Sequence, residues 1–215
     1  MTAIRNLVYK VRYNPLPRLA LNALKRLGIV ILPYYLLHRC LADTVRTVDK
    51  TGVWLVELGE ADMDRIAAMP MANNSAATYR SWLRRDQRCF GLLVNEELTG
   101  FCWMDPKYCS FSGQGFPLDA GQVYAYDIYT LPSQRGRNIA PLLNACFSDW
   151  LQNSGVTHVV SVIVYFNRPS LRFAAKIGAR PKRLNLYLRL FGLYEKTFLL
   201  KTFADTETGG QSSPS

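Results

Sequence analysis

Apolar residues along this chain change their period several times, and each change marks an element. VWLVEL at 53–58 is apolar and β-branched between Gly52 and Gly59, the pattern of a strand. EADMDRIAAM at 60–69, stopped by Pro70, predicts a helix. NNSAATYRSWLRRD at 73–86 predicts a second, with Asn74 or Ser75 available as its cap. CFGLLV at 89–94 and LTGFCWM at 98–104 read as two strands joined by the compact turn Asn95-Glu96-Glu97, and QVYAYDIYT at 122–130 as an aromatic, β-branched third. From 139 to 151, Ile139, Leu142, Leu143, Cys146, Phe147 and Trp150 recur on one helical stripe. HVVSVIVYF at 158–166 is almost continuously apolar, as in a strand buried on both faces. SLRFAAKIG at 170–178 predicts a short helix closed by Gly178, and RLNLYLRLFG and YEKTFLLKTF predict a closing pair of strands.

This order, with three successive strands over 88–130 and no helix between them, predicts an α/β fold with a mixed sheet and helices on both faces. It argues against a doubly wound dinucleotide fold. Residues 105–121 are rich in Gly, Pro, Asp and Ser and predict a long loop, of the kind that is more often functional than idle. At the N-terminus, residues 18–27 place leucines and alanines at helical spacing between Pro17 and Gly28, and residues 34–41 suit a helix or a strand. The apolar run at 27–37 is far shorter than the ~20 residues a spanning helix needs. It reads as core packing or, behind the basic segment LPRLALNALKRLG, as an interfacial anchor through residues 18–39. The expected organisation is a basic accessory segment over 1–50 (helix plus extended arm), a folded domain over 51–204 and a polar tail over 205–215.

Charge sharpens this division. The chain of 215 residues carries a net charge of +10. Residues 1–50 hold nine Lys/Arg against two acids, residues 168–201 nine against one, and residues 51–167 eight against eleven. Two basic segments flanking a slightly acidic body suit an anionic ligand or an anionic membrane surface. No zinc-finger spacing, RNA-binding aromatic signature or helix-turn-helix pattern stands out, so nucleic acid is not expected. Five cysteines without a CxxC pair read as reduced, mostly buried thiols of a cytoplasmic protein, with Cys109 the one expected to be exposed. The two histidines, His38 and His158, are too scattered to suggest a metal site.

The chemistry concentrates in YTLPSQRGRNIAPLLNACFSDWL, which opens at Tyr129 as a strand and ends as a helix. A turn over Ser133–Ala140 would expose consecutive N–H groups beside the unpaired donors of the helix start, a nest for diphosphate. Gly136 permits close backbone approach, and Arg135 and Arg137 supply charge. The alternative is a solvated basic loop capping a helix. The loop is neither a P-loop nor a Rossmann GxGxxG. The segment resembles the acyl-CoA-binding motif of the GCN5-related N-acetyltransferase (GNAT) superfamily, an Arg/Gln-x-x-Gly-x-Gly/Ala loop carried here by Arg135, Gly136, Arg137, Asn138, Ile139 and Ala140. Asn138 stands where glycine is usual, and asparagine tolerates left-handed geometry better than most residues. VYFNRPSLRFAAKIGA resembles the family's second signature, with Asn167, Ser170, Lys176 and Gly178 at its spacing.

The resemblance implies a three-layer α/β/α acyl-CoA N-acyltransferase fold with a mixed, splayed sheet. It implies an N-acyltransferase, in the first instance an acetyltransferase, using acetyl-CoA or a longer acyl-CoA and a small or carrier-linked amine. Ile128, Tyr129 and Leu131 would meet the pantetheine through the backbone, with the N–H of Tyr129 or its neighbour supporting the oxyanion, and Asn167 and Ser170 would hold the coenzyme from the next strand's end. Asp127 lies where relatives often have an acid, and either acts on the substrate amine or serves a structural hydrogen bond. The family's frequent tyrosine acid is replaced by Ala174, which leaves Tyr126, Tyr129, Tyr165 or water for that role. Tyr79, Trp82, Arg85 and Tyr126 are the expected acceptor-side residues, unless their helix is simply a solvated basic one. The competing account is a non-catalytic acyl-CoA-fold module that docks on an anionic membrane or polymer through its basic flanks.

Overall fold

A computed structural model describes residues 23–42, 50–112 and 114–204 of the chain. The expected helix over 18–27 lies partly outside these, as does the tail; residues 23–26 form a helical turn that ends at Gly28. Ten strands and four helices follow. They are β1 (Ile29–Cys40), β2 (Val53–Leu58), α1 (Met63–Ala67, led in by one 3-10 turn), α2 (Ala76–Leu83), β3 (Arg88–Val94), β4 (Glu97–Asp105), β5 (Tyr108–Phe111) and β6 (Gln114–Pro117). After these come β7 (Gln122–Thr130), α3 (Ile139–Asn153), β8 (His158–Val164), α4 (Arg168–Lys176), β9 (Arg180–Leu190) and β10 (Tyr194–Thr202). The ambiguous 34–41 segment is strand.

The chain divides into two compact units. The larger comprises His38–Val162 and Arg168–Arg180 and carries the mixed sheet, in the order β2-β3-β4-β7-β8. Its first four strands pair antiparallel, whereas β8 runs parallel to β7. Alternation along the strands explains why both faces are covered. On β4, Cys102 and Met104 point into a core with Leu143, Phe147 and Leu151 of α3, while Phe101 and Trp103 point into a core with Met63 and Ile66 of α1 and Tyr79 of α2. The result is three layers, α/β/α, with an open sheet. The smaller unit holds the β9–β10 hairpin with β1 beside β9, and its aromatic packing includes Tyr35 on Tyr165 at 5.6 Å.

Two expectations fail here. The long loop at 105–121 contains a hairpin, β5–β6, that lacks the alternation by which strands are recognised. A Cβ at Gly115 would sit 2.3 Å from the Tyr108 ring, so the absent side chain lets that ring lie across the partner strand. Cys109 is consequently buried rather than exposed, at 2% accessibility, and burial pushes its thiol up to about 12. Among the described residues, no helix is long and apolar enough to cross a membrane.

Candidate active site

The site begins with a fault in β7. Phe101 faces Tyr129 and Trp103 faces Tyr126, so Cys102 alone stands opposite both Asp127 and Ile128. This β-bulge puts Asp127 in the left-handed region at φ 44° and increases the local twist. Before it β7 has already left β8: the two strands pair only over Gln122–Tyr124 and His158–Val160. The sheet therefore splays, and a cavity of about 40 Å³ lies at the gap. Its walls include Ala125 and Ile128 of β7, Val159 and Ser161 of β8, and Leu143 and Phe147 of α3.

Ladder geometry decides which amides face that gap. The Leu131 N–H donates to the Thr99 carbonyl at 2.8 Å, so Leu131 and Thr99 form a hydrogen-bonded antiparallel pair. The next such pair, two residues back, is Tyr129 with Phe101. The Tyr129 and Leu131 amides thus point at β4, and those of Ile128 and Thr130 point away from it. Of the expected alternatives for an oxyanion donor, the register favours the neighbour Ile128, whose side chain is 46% exposed. Leu131 can offer a ligand only its carbonyl.

The loop after β7 has the other half of the site. One 3-10 turn, Pro132–Gln134, leads to Gly136 at φ 85° and to Asn138 at φ 60°, ψ 18°, which caps α3. The substituted asparagine does adopt the left-handed geometry that a glycine would supply. Nothing lies within 4 Å of where a Gly136 Cβ would stand, so this side of the turn is open. The N–H groups of Gly136, Asn138, Ile139 and Ala140 have no backbone acceptor among the described residues, and Pro141 removes the next one. Arg135 and Arg137 stand exposed on either side of Gly136. The Arg137 N–H, between the Gly136 and Asn138 amides, bonds the Gln134 carbonyl at 3.3 Å, and the free amides around it form an anion-binding concavity at a helix N-terminus that fits a diphosphate.

Asp127, by contrast, is already occupied. Its Oδ1 accepts from Asn73 Nδ2 at 2.8 Å, and its Oδ2 accepts from Asn74 Nδ2 at 3.2 Å and from the Tyr79 hydroxyl at 3.1 Å. Burial, and then the Asp127 charge, raise the Tyr79 hydroxyl well above its ordinary value, so it stays a donor. Asn74 therefore serves Asp127, while Ser75 caps α2 by accepting from the Thr78 N–H. Neither Asn73 nor Asn74 was expected at the site: a pair of asparagines before a helix reads as a cap.

The acceptor-side residues divide. Tyr79 is fully buried and stacks on Trp103 at 5.4 Å, so its ring cannot stack on a ligand, contrary to expectation. Trp82 is partly buried, edge-on to Trp103 at 5.0 Å and to Tyr126 at 5.1 Å, while Arg85 is exposed. The three tyrosines considered for a general acid are engaged elsewhere. Tyr126 donates to Gln87 Oε1 at 2.8 Å, and burial raises its hydroxyl far above the usual range. Tyr129 donates to the Pro70 carbonyl at 2.8 Å, and Tyr165 stacks on Tyr35 at 5.6 Å. Ala174 is buried in α4. Ser170 lies in α4 in the larger unit, and Asn167 falls in the smaller one, its N–H bonded to the Val164 carbonyl at 2.9 Å.

A splayed mixed sheet whose central strand bulges into the gap, followed by an amide nest at the next helix, defines the class of acyl-CoA acyltransferase folds. The chain belongs to the acetyltransferase (GNAT) family, matching it over residues 57–179, more than half of its length. Solved structures agree. A GCN5-related N-acetyltransferase from Sphaerobacter thermophilus is 15% identical with a TM-score of 0.53, covering 82% of this chain and 56% of its own. One from Kribbella flavida is 15% identical at 0.51, covering 78% and 62%, and a Drosophila protein is 18% identical at 0.54, covering 80% and 58%. At such identities they establish the fold alone, and the chain spans only 56–62% of their lengths. No curated protein matches the sequence significantly.

Proposed function

We propose that the protein is an acyl-CoA-dependent N-acyltransferase that moves an acyl group, acetyl or longer, to a primary amine by direct attack. The observation that carries this reading is the set of amides at Gly136, Asn138, Ile139 and Ala140 without a backbone acceptor among the described residues, on a turn whose Gly136 and Asn138 are left-handed and which carries Arg135 and Arg137. Bound there, the coenzyme supplies an activated thioester carbonyl. The chain's own part is positional. The nest and two arginines hold the diphosphate, and the Ile128 N–H, aimed into the gap, supports charge developing on the carbonyl oxygen. Asp127 has three of roughly four acceptor sites filled. It therefore acts by fixing the bulge and by presenting negative charge to an incoming ammonium. Tyr126 and Tyr129 are committed to Gln87 and to the Pro70 carbonyl, and water protonates the leaving thiolate. Calorimetry with acetyl-CoA on wild type and R135A/R137A tests the reading; no binding by wild type overturns it.

A second observation favours work at a membrane surface, on its cytoplasmic side. In the smaller unit Leu27 is 67%, Phe191 64% and Leu193 93% exposed, and the Phe191 N–H bonds the Gly28 carbonyl at 2.7 Å. The two turns thus form one apolar tip. Lys25, Arg26 and Arg189 neighbour it in sequence, and the described part of this unit has seven cations against Glu195 alone. An anionic bilayer fits that chemistry. Each basic residue near it contributes about 1 kcal/mol and each buried leucine about 2 kcal/mol. Co-sedimentation with phosphatidylglycerol vesicles should fall sharply in F191E/L193E with acyl transfer to soluble amines retained. Vesicle binding without transfer to any amine would instead leave the non-catalytic module.

A further inference from the structure

Arg39, near the end of β1, is 3% exposed, and among the described residues no carboxylate lies within 4 Å of its guanidinium. Its Nη1 donates to Asn144 Oδ1 at 2.7 Å and its Nη2 to Ser148 Oγ at 2.9 Å, both neutral groups on α3. Burial lowers its pKa only to about 10, so it remains a cation at neutral pH. A buried charge that meets no counterion among the described residues is costly, and a hydrophobic residue of similar length would ordinarily be the more stable choice there. The same side chain lines the cavity at the splay, whose other polar walls are Asn144 and Ser161. The remaining lining is apolar and runs from Arg39 to Ile128 at the bulge.

We propose that Arg39 is an anion-recognising residue for the acyl group: the cavity takes a short acyl chain ending in a carboxylate, whose charge Arg39 neutralises. This rests on the acyl-CoA reading above and names its donor class, a dicarboxylic monothioester of malonyl or succinyl size. A cavity of about 40 Å³ holds about three waters, which restricts the chain to a few heavy atoms. An acetyl group would leave the cation unmatched. A long fatty chain would have to lay methylenes against it. A carboxylate meets it with charge-assisted hydrogen bonds while the apolar wall packs the intervening carbons. Asn144 and Ser148 hold the fork in place beforehand, so little side-chain freedom is lost on binding.

Calorimetry with coenzyme A, butyryl-CoA and succinyl-CoA on the full chain separates this inference from the reading beneath it. Wild type should bind succinyl-CoA about tenfold or more tighter than butyryl-CoA. R39M should abolish that preference, keep its affinity for coenzyme A itself, and raise the melting temperature. R39K, which keeps the charge but not the fork, should retain part of the preference and serves as the second variant if R39M does not fold. Equal affinity of wild type for the two acyl-CoAs, with coenzyme A still bound, overturns the role of Arg39 and leaves the acyltransferase reading standing. Failure to bind coenzyme A at all overturns both. An R39M or R39K variant that loses stability and all three ligands alike would show Arg39 to be structural only.

Discussion

The bulge at Asp127 and the turn at 135–140 are close in sequence, and each contains a left-handed non-glycine residue, Asp127 and Asn138, yet they treat hydrogen-bonding capacity in opposite ways. At the bulge both carboxylate oxygens are engaged: Asn73, Asn74 and Tyr79 converge on Asp127. At the turn the amides of Gly136, Asn138, Ile139 and Ala140 have no backbone acceptor among the described residues. Exposure allows this, because water satisfies the donors until a ligand replaces it. The difference separates a group that holds the site in shape from groups that wait for a ligand. It also predicts that the two places fail differently when altered.

The largest effect should come from the turn. R135A/R137A should weaken acetyl-CoA by about 2–4 kcal/mol, roughly 30- to 1000-fold, because two charge-assisted contacts go. Both side chains are exposed, so the melting temperature should hold. Undiminished binding would break the comparison at its open end. Next comes D127N, which replaces a carboxylate facing three donors by an amide that brings donors of its own. It should cost about 1–3 kcal/mol in urea denaturation and depress turnover, while acyl-CoA affinity stays nearly unchanged. If turnover survives and only stability falls, Asp127 is a strut and no more. The smallest effect is expected at the helix cap. N138G should be neutral within about 0.5 kcal/mol, whereas N138V should lose about 1–2 kcal/mol, since a β-branched residue resists φ 60°. Equal tolerance of both would mean that the turn does not depend on its handedness.

The sequence made the turn readable because its geometry demands particular residues: Gly136 and Asn138 occupy the two left-handed positions, and the apolar stripe from Ile139 fixes where the helix begins. Strands β2, β3, β4 and β7 were readable because their runs are apolar, aromatic or β-branched and stop at turn residues, although β3 and β4 are buried on both faces and show no alternation. The Asp127 network was not. Its partners lie 48–54 residues earlier, and asparagines before a helix carry a local meaning that hides the distant one. Tyr79 misled because arginines on its helix suggested a solvated face, while its own ring fills the space between Trp103 and Phe101. The β5–β6 hairpin escaped because its pairing is backbone-driven, with one glycine clearing room for one tyrosine.

The short parallel ladder between β7 and β8 also sets a rhythm for exchange with solvent. Past Tyr124 the amides of β7 alternate between a partner strand and an open gap. Deuterium should therefore enter Ile128 and Thr130 early and Tyr129 late, although the three are consecutive in one strand. A filled gap would slow Ile128 selectively, so that a single amide could report occupancy without any chemistry being assayed. Uniform exchange along β7 would mean that the strand opens as a unit and that the gap is no more accessible than the ladder beside it.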